Sequence, residues 1–104
     1  MTSFDERKKA FEDKFAHDES LKFKAAARAN RMLGEWAAGI MGLEEGEVDE
    51  YVRSVIKADF EEAGSEDVFR KLHADIGEKV SEEEIRSRIE SSLEQAIARL
   101  MDEE

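Results

Sequence analysis

The sequence predicts an all-α fold, a four-helix bundle with an additional N-terminal helical or fraying arm. Three observations predict it. The 104 residues contain no proline, the residue that most strongly interrupts a helix from within. Charged residues make up 41% and hydrophobic residues 40%, with Ala, Glu, Lys, Arg and Leu prominent, a profile that suits a helical protein with one modest core. Apolar residues also recur at steps of three and four in four successive stretches.

The first bundle helix is expected over about 20–41. Leu21, Ala25, Ala29, Met32, Leu33, Trp36 and Ile40 form its stripe, and Gly42 can close it as a left-handed cap. The second is expected over 47–63, with Val48, Tyr51, Val52, Val55, Ile56, Phe60 and Ala63 inward. Gly64-Ser65 reads as a corner, the glycine ending one helix and the serine capping the next ahead of Glu66 and Asp67. That third helix, 65–78, turns Val68, Phe69, Leu72 and Ile76 inward. Ser81 to Glu84 reads as a capping box opening a last helix over 81–102, with the stripe Ile85, Ile89, Leu93, Ala96, Ile97, Leu100 and Met101. Short connections favour antiparallel neighbours.

Residues 1–19 behave differently. Ser3 to Glu6 can form a capping box, and Phe4, Phe11 and Phe15 fall within about 40° of one another on a helix. If that helix ran on without a break, the phenylalanines would align with Ala29, Trp36 and Ile40, but the stripe positions at the join are Asp18 and Lys22. The simplest reading is an arm that the bundle does not cover, whose phenylalanines await a partner. The other reading is that the segment folds back and the phenylalanines plug the bundle.

Charge and chemistry narrow the function classes. The net charge of −11 disfavours nucleic acid and anionic membrane as partners. It is unevenly spread: residues 1–19 carry a net −2, residues 20–41 a net +3 and residues 42–104 a net −12. There is no cysteine, no apolar run of membrane-spanning length and no glycine-rich phosphate loop, and the opening "MTSFDERKKAF" is too charged for a secretory signal. The expected setting is therefore cytoplasmic.

His17 has only Asp13 as a carboxylate one helical turn away, and His73 has Phe69 and Gly77 at that spacing, so neither histidine marks a metal site. The serines sit at helix starts or exposed positions, not on a nucleophile elbow. Catalysis is not expected, and no cofactor is implied. One basic ridge stands out: His17, Lys24, Arg28 and Arg31 lie within about 60° on a continuous first helix. Lys24, Arg28 and Arg31 could attract an anion such as a nucleotide phosphate, or simply pair with the acidic helices beside them.

Two long motifs, "KFAHDESLKFKAAARANRMLGEWAA" and "VIKADFEEAGSEDVFRK", together with the opening "TSFDERKKAFEDKFAHD", resemble the alphaproteobacterial zeta inhibitor subunit of the rotary ATP synthase, a small helical family formerly described as a domain of unknown function. The resemblance covers nearly the whole chain. It implies a globular domain, 20–104, and an N-terminal inhibitory arm, 1–19, that inserts as a helix into a catalytic interface of the synthase head and blocks ATP hydrolysis while the globular helices dock outside. Carried over, the inhibitory stretch is Thr2 to about His17. Phe4, Phe11 and Phe15 would be the apolar anchors, and Arg7, Lys8, Lys9 and Lys14 would meet polar and acidic surface. The implied partner is the head of the membrane-bound synthase at its cytoplasmic face, approached by a chain expected to be monomeric when free. The alternative is a non-inhibitory regulatory or sensor protein that binds an adenine nucleotide, weakly, on the basic ridge. On either reading "AHDES" is the joint between arm and bundle.

Overall fold

The structure, a computed structural model, describes residues 3–61 and 65–103, with side chains from Asp5 onward. Five helices follow one another: α1, Ser3–His17; α2, Glu19–Met41; α3, Glu45–Asp59; α4, Glu66–Ile76; and α5, Glu82–Glu103. No strand occurs among the described residues.

The ends of these helices follow local chemistry. Gly42 takes φ 72°, and the closing bonds run from Gly42 N–H to the Gly39 carbonyl at 3.2 Å and from Leu43 N–H to the Ala38 carbonyl at 3.0 Å. A left-handed residue is needed there, and glycine adopts it without a Cβ penalty. Helix α3 begins earlier than the expected 47 because Glu47 reaches back, its Oε1 accepting from Glu44 N–H at 3.1 Å. It also ends earlier than the expected 63: Phe60 and Glu61 donate to the Lys57 and Ala58 carbonyls, tightening the last turn to i→i−3 bonds. Ala63 and Gly64, with the glycine half of the expected corner, lie outside the described residues. Ser65 does precede α4 but makes no side-chain cap bond, because its backbone (φ −107°, ψ 4°) is not in the extended form a capping serine uses. Asp67 instead accepts from Val68 N–H at 2.8 Å. Ser81 caps α5 as expected, its Oγ accepting from Glu84 N–H at 3.1 Å.

Helix α2 is the central element and packs against α3, α4 and α5. Its approach to α3 depends on Gly34: a Cβ there would stand 2.9 Å from Val52 Cγ2 and 3.0 Å from Val52 Cα. Two apolar clusters lie along α2. One joins Leu33 and Ala37 to Val55, Val68, Leu72, Ile76 and Ile85, with Trp36 and Tyr51 half-buried beside it. The other gathers Phe11, Leu21, Ala25, Ala29, Ala96 and Leu100, with Phe15, Met32, Ile97 and Met101 packed on it. Between α3 and α4, the Tyr51 hydroxyl donates to Asp75 at 2.7 Å, and Lys71 reaches the same carboxylate at 3.0 Å. Burial and the nearby Asp75 carboxylate push the Tyr51 hydroxyl well above its ordinary pKa.

Two inward assignments are corrected. Phe60 is 63% exposed, because α3 has already ended at Asp59. Leu93 is 41% exposed, because the inward stripe of α5 passes through Ile85, Ile89, Ser92, Ala96 and Leu100. The small Ser92 takes the place the pattern gave to leucine.

Candidate interaction surface

A continuous helix from α1 into α2 does not form. Asp18 leaves helical geometry (φ −108°, ψ 104°) and caps α2, its Oδ1 accepting from Ser20 N–H at 2.9 Å, the Ser20 hydroxyl at 2.8 Å and Leu21 N–H at 3.3 Å. The Ser20 hydroxyl, then the Leu21 N–H, hold this carboxyl below its usual range. The charge that interrupts the apolar seam is thus also the cap that ends the run. His17 is the exposed last residue of α1.

That break changes where α1 goes. The bundle covers it in part: Phe11 is only 6% exposed, seated among Leu21, Ala25, Ala29, Ala96 and Leu100. Phe15 is half-buried and stacks on Phe11 with ring centroids 6.2 Å apart. Arg7 Nη2 donates to the Met101 carbonyl at 2.9 Å. The expectation of an uncovered arm is corrected accordingly, because a ring of this size loses about 1.5–3 kcal/mol if left in water beside an apolar seat it can reach. Phe4 lies outside the described side chains.

The basic residues of α1 fall into different settings. Arg7 and Lys14 line a groove of about 210 Å³ with Ala10, Phe11 and Met101. Lys8 lines another of about 320 Å³, facing Glu94, Ile97 and Met101 of α5. Lys9 lines neither groove and is exposed. Helix α1 is therefore a phenylalanine-bearing segment of mixed charge on a one-residue joint, held by a small apolar seat. At 15 residues it is near the lower limit for a stable isolated helix.

The ridge on α2 is largely occupied by acids. Arg28 forms a two-pronged pair with Glu103, one bond being Nη2 to Oε1 at 2.7 Å. Arg31 stands 3.7 Å from Glu35 and 3.9 Å from Asp49. Lys24 is exposed and adds to the positive field that, after the Arg28 bond, holds Glu103 below its usual range. A phosphate arriving at Arg28 would have to displace Glu103. His73 stacks on Phe69 at 5.4 Å, and among the described residues no group of three His, Cys, Asp or Glu could hold a metal ion. No described helix is long and apolar enough to cross a membrane.

Pattern reasoning missed two features along the first half of α2. Asn30 is buried and donates to Asp59 at 2.9 Å, and the exposed rings of Phe23 and Phe60 stack 5.5 Å apart. Phe23 falls outside the apolar stripe of its helix, which was the available signal.

Comparison with known proteins adds two results. The family profile described as ATPase inhibitor subunit zeta matches residues 1–99. A chain solved by NMR in solution is 45% identical and superimposes with a TM-score of 0.72, the match covering 81% of this chain and 99% of that one. No curated protein matches.

Proposed function

This chain belongs to the family of the ATPase inhibitor subunit zeta, and on that premise we propose that it binds the catalytic head of the rotary ATP synthase and blocks ATP hydrolysis by inserting α1 into a catalytic interface. The block is steric occupation, with no covalent chemistry and no cofactor. Helices α2 to α5 act as the four-helix body that stays outside the interface, and α1 as the arm. The protein works as a regulatory subunit, not an enzyme, at the cytoplasmic face of the membrane that holds the synthase.

The observation that carries the reading is the separability of α1. It is a complete helix in its own right, set off by the Asp18 cap, and it carries Phe11 and Phe15 on one side with Arg7, Lys8 and Lys14 flanking them and Lys9 on the exposed side. Insertion requires Phe11 to leave its seat on α2 and α5 and be buried again in the synthase. Release costs less net apolar energy where the synthase offers a second apolar site that buries the ring again. The free form is then a closed form, and the inserted one exchanges an intramolecular seat for an intermolecular one.

The test is ATP hydrolysis by the isolated synthase head with and without the protein, and with the protein lacking residues 2–17. Inhibition by the full chain, absent in the truncated one while the truncated one still melts cooperatively, is the expected result. No effect of the full chain on hydrolysis would overturn the reading. Within α1, Phe15→Ala should weaken inhibition more than Lys9→Ala at moderate salt, since an exposed charge contributes less than a buried ring.

A further inference from the structure

Among the described residues, the exposed large apolar side chains are Phe23 at 55%, Phe60 at 63% and Leu93 at 41%. They are far apart in sequence, yet all three belong to one place. A groove of about 320 Å³ runs between α2, the end of α3, the start of α4 and α5, and Ala26, Asn30, Asp59, Val68, Ile89 and Leu93 are among its walls. Leu93 lines it directly, Phe23 stands one turn before Ala26, and Phe60 follows Asp59 and stacks on Phe23. Exposed aromatic rings stacked beside a concave apolar surface are an arrangement that can supply binding energy at protein interfaces.

The charge in the groove selects the occupant. Asp59 stands in its wall, its carboxylate held by the Asn30 amide at 2.9 Å. Desolvation, reinforced by the nearby Asp67 charge, raises the Asp59 pKa, so a positive charge arriving beside it would be favoured. The adjoining groove shares Ser65, Ile89 and Leu93 and adds Glu90 and Arg86. Arg86 is already held by Glu66 at 2.9 Å and Glu82 at 3.4 Å, so it does not offset Glu90. The lysines nearest the aromatic pair in sequence, Lys22 and Lys24 beside Phe23 and Lys57 before Phe60, line neither groove.

We propose that the groove lined by Leu93, with the stacked Phe23 and Phe60 next to its Ala26 and Asp59 walls, is the face by which the α2–α5 body grips the synthase head, its occupant a surface segment of the head that carries an apolar side chain next to a lysine or arginine. This rests on the inhibitory reading above and adds to it the place and chemistry of a second contact, separate from α1. The division of labour follows: α1 stops hydrolysis, and this face sets how tightly the protein is held while it does so. The two contacts belong to one molecule, so losing the second lowers the effective concentration of α1 at its site without altering what α1 does there.

The experiment measures direct binding to the isolated head and inhibition of its ATP hydrolysis, for the full chain and for the double variant Phe23→Gln/Phe60→Gln. Both rings are exposed, so the variant should melt close to the parent. The expected result is at least about a tenfold rise in both the dissociation constant and the half-maximal inhibitory concentration, with unchanged maximal inhibition. Glu90→Lys, an exposed charge reversal, should weaken binding in the same direction. Benzoylphenylalanine in place of Leu93 should crosslink on illumination to a basic-flanked apolar segment of the head. Equal binding by parent and double variant, or crosslinking to an acidic segment or to a second copy of this chain, would overturn this inference alone. A parent chain that fails to bind the head would remove the functional reading and this one together.

Discussion

The guanidinium of Arg7 donates to the backbone carbonyl of Met101 at 2.9 Å, tying α1 to the last turn of α5. Carbonyls in the final turn of a helix have no intrahelical partner, so Met101 offers an acceptor that the arginine of an approaching helix can satisfy. With the seating of Phe11, this bond keeps α1 against the body. Arg7→Ala should speed amide exchange between Asp5 and Lys14 by about two- to tenfold while leaving exchange around Trp36 unchanged. Hydrogen exchange read residue by residue checks it. Equal acceleration in both regions would mean that α1 and the body open as one unit.

Gly34 should not tolerate a side chain. A methyl group there meets both the Cγ2 and the Cα of Val52, and a backbone atom cannot rotate away. Gly34→Ala should therefore cost about 1–3 kcal/mol through overpacking, outweighing the helix propensity gained from alanine. For a domain of this size that lowers the melting temperature by roughly 4–8 °C per kcal/mol. Calorimetry on the variant, with Gly39→Ala as the control that meets nothing within 4 Å, decides the point.

Asp59→Asn should stabilise the protein at neutral pH. The aspartate pKa is raised by desolvation, with the Asp67 charge adding to it, against the lowering effect of the Asn30 hydrogen bond. The folded state therefore holds its proton more tightly than the unfolded state does. Stability from this group is gained as pH falls through the raised value and is lost as pH rises through it. Asparagine keeps an oxygen to accept from Asn30 and removes the desolvated charge. The gain should be present at pH 7, fade as pH falls through the raised folded value, and be gone by about pH 4, the unfolded aspartate value. Melting curves of both proteins across that range test it, and a variant less stable at pH 7 would contradict it.

Asp18 should show the opposite sign. Its carboxylate is favoured by the Ser20 hydroxyl and the Leu21 N–H, so its folded pKa lies below the unfolded one. The contribution is present above about pH 4, the ordinary aspartate value, and is lost as pH falls through the depressed folded value. Asp18→Asn, which can still accept from the backbone, should retain the helix boundary without the acid-dependent loss. Asp18→Ala should lose the cap at every pH, and exchange of the Ser20 and Leu21 amides reports this directly.

Much of the helix map follows from local determinants. The start of α2 at Glu19, its end at the left-handed Gly42 and the capped start of α5 behind Ser81 all depend on residues within one turn of the boundary, and pattern reading placed each within a residue. The family motifs were also legible, because they are long runs of consecutive residues that need no third dimension to be compared.

The direction of α1 was not legible. Asp18 announced a joint, but whether α1 ran outward or turned back depended on an apolar seat assembled from Leu21, Ala25, Ala29, Ala96 and Leu100, about eighty residues of chain apart at its extremes. The pairing of Arg28 with Glu103 and the stacking of Phe23 on Phe60 have the same origin. Helical periodicity says which side of each helix is apolar. It does not say which neighbour covers that side, or where a helix such as α3 ends short and leaves Phe60 in water; those were decided by the packing of α3 and α5 on α2.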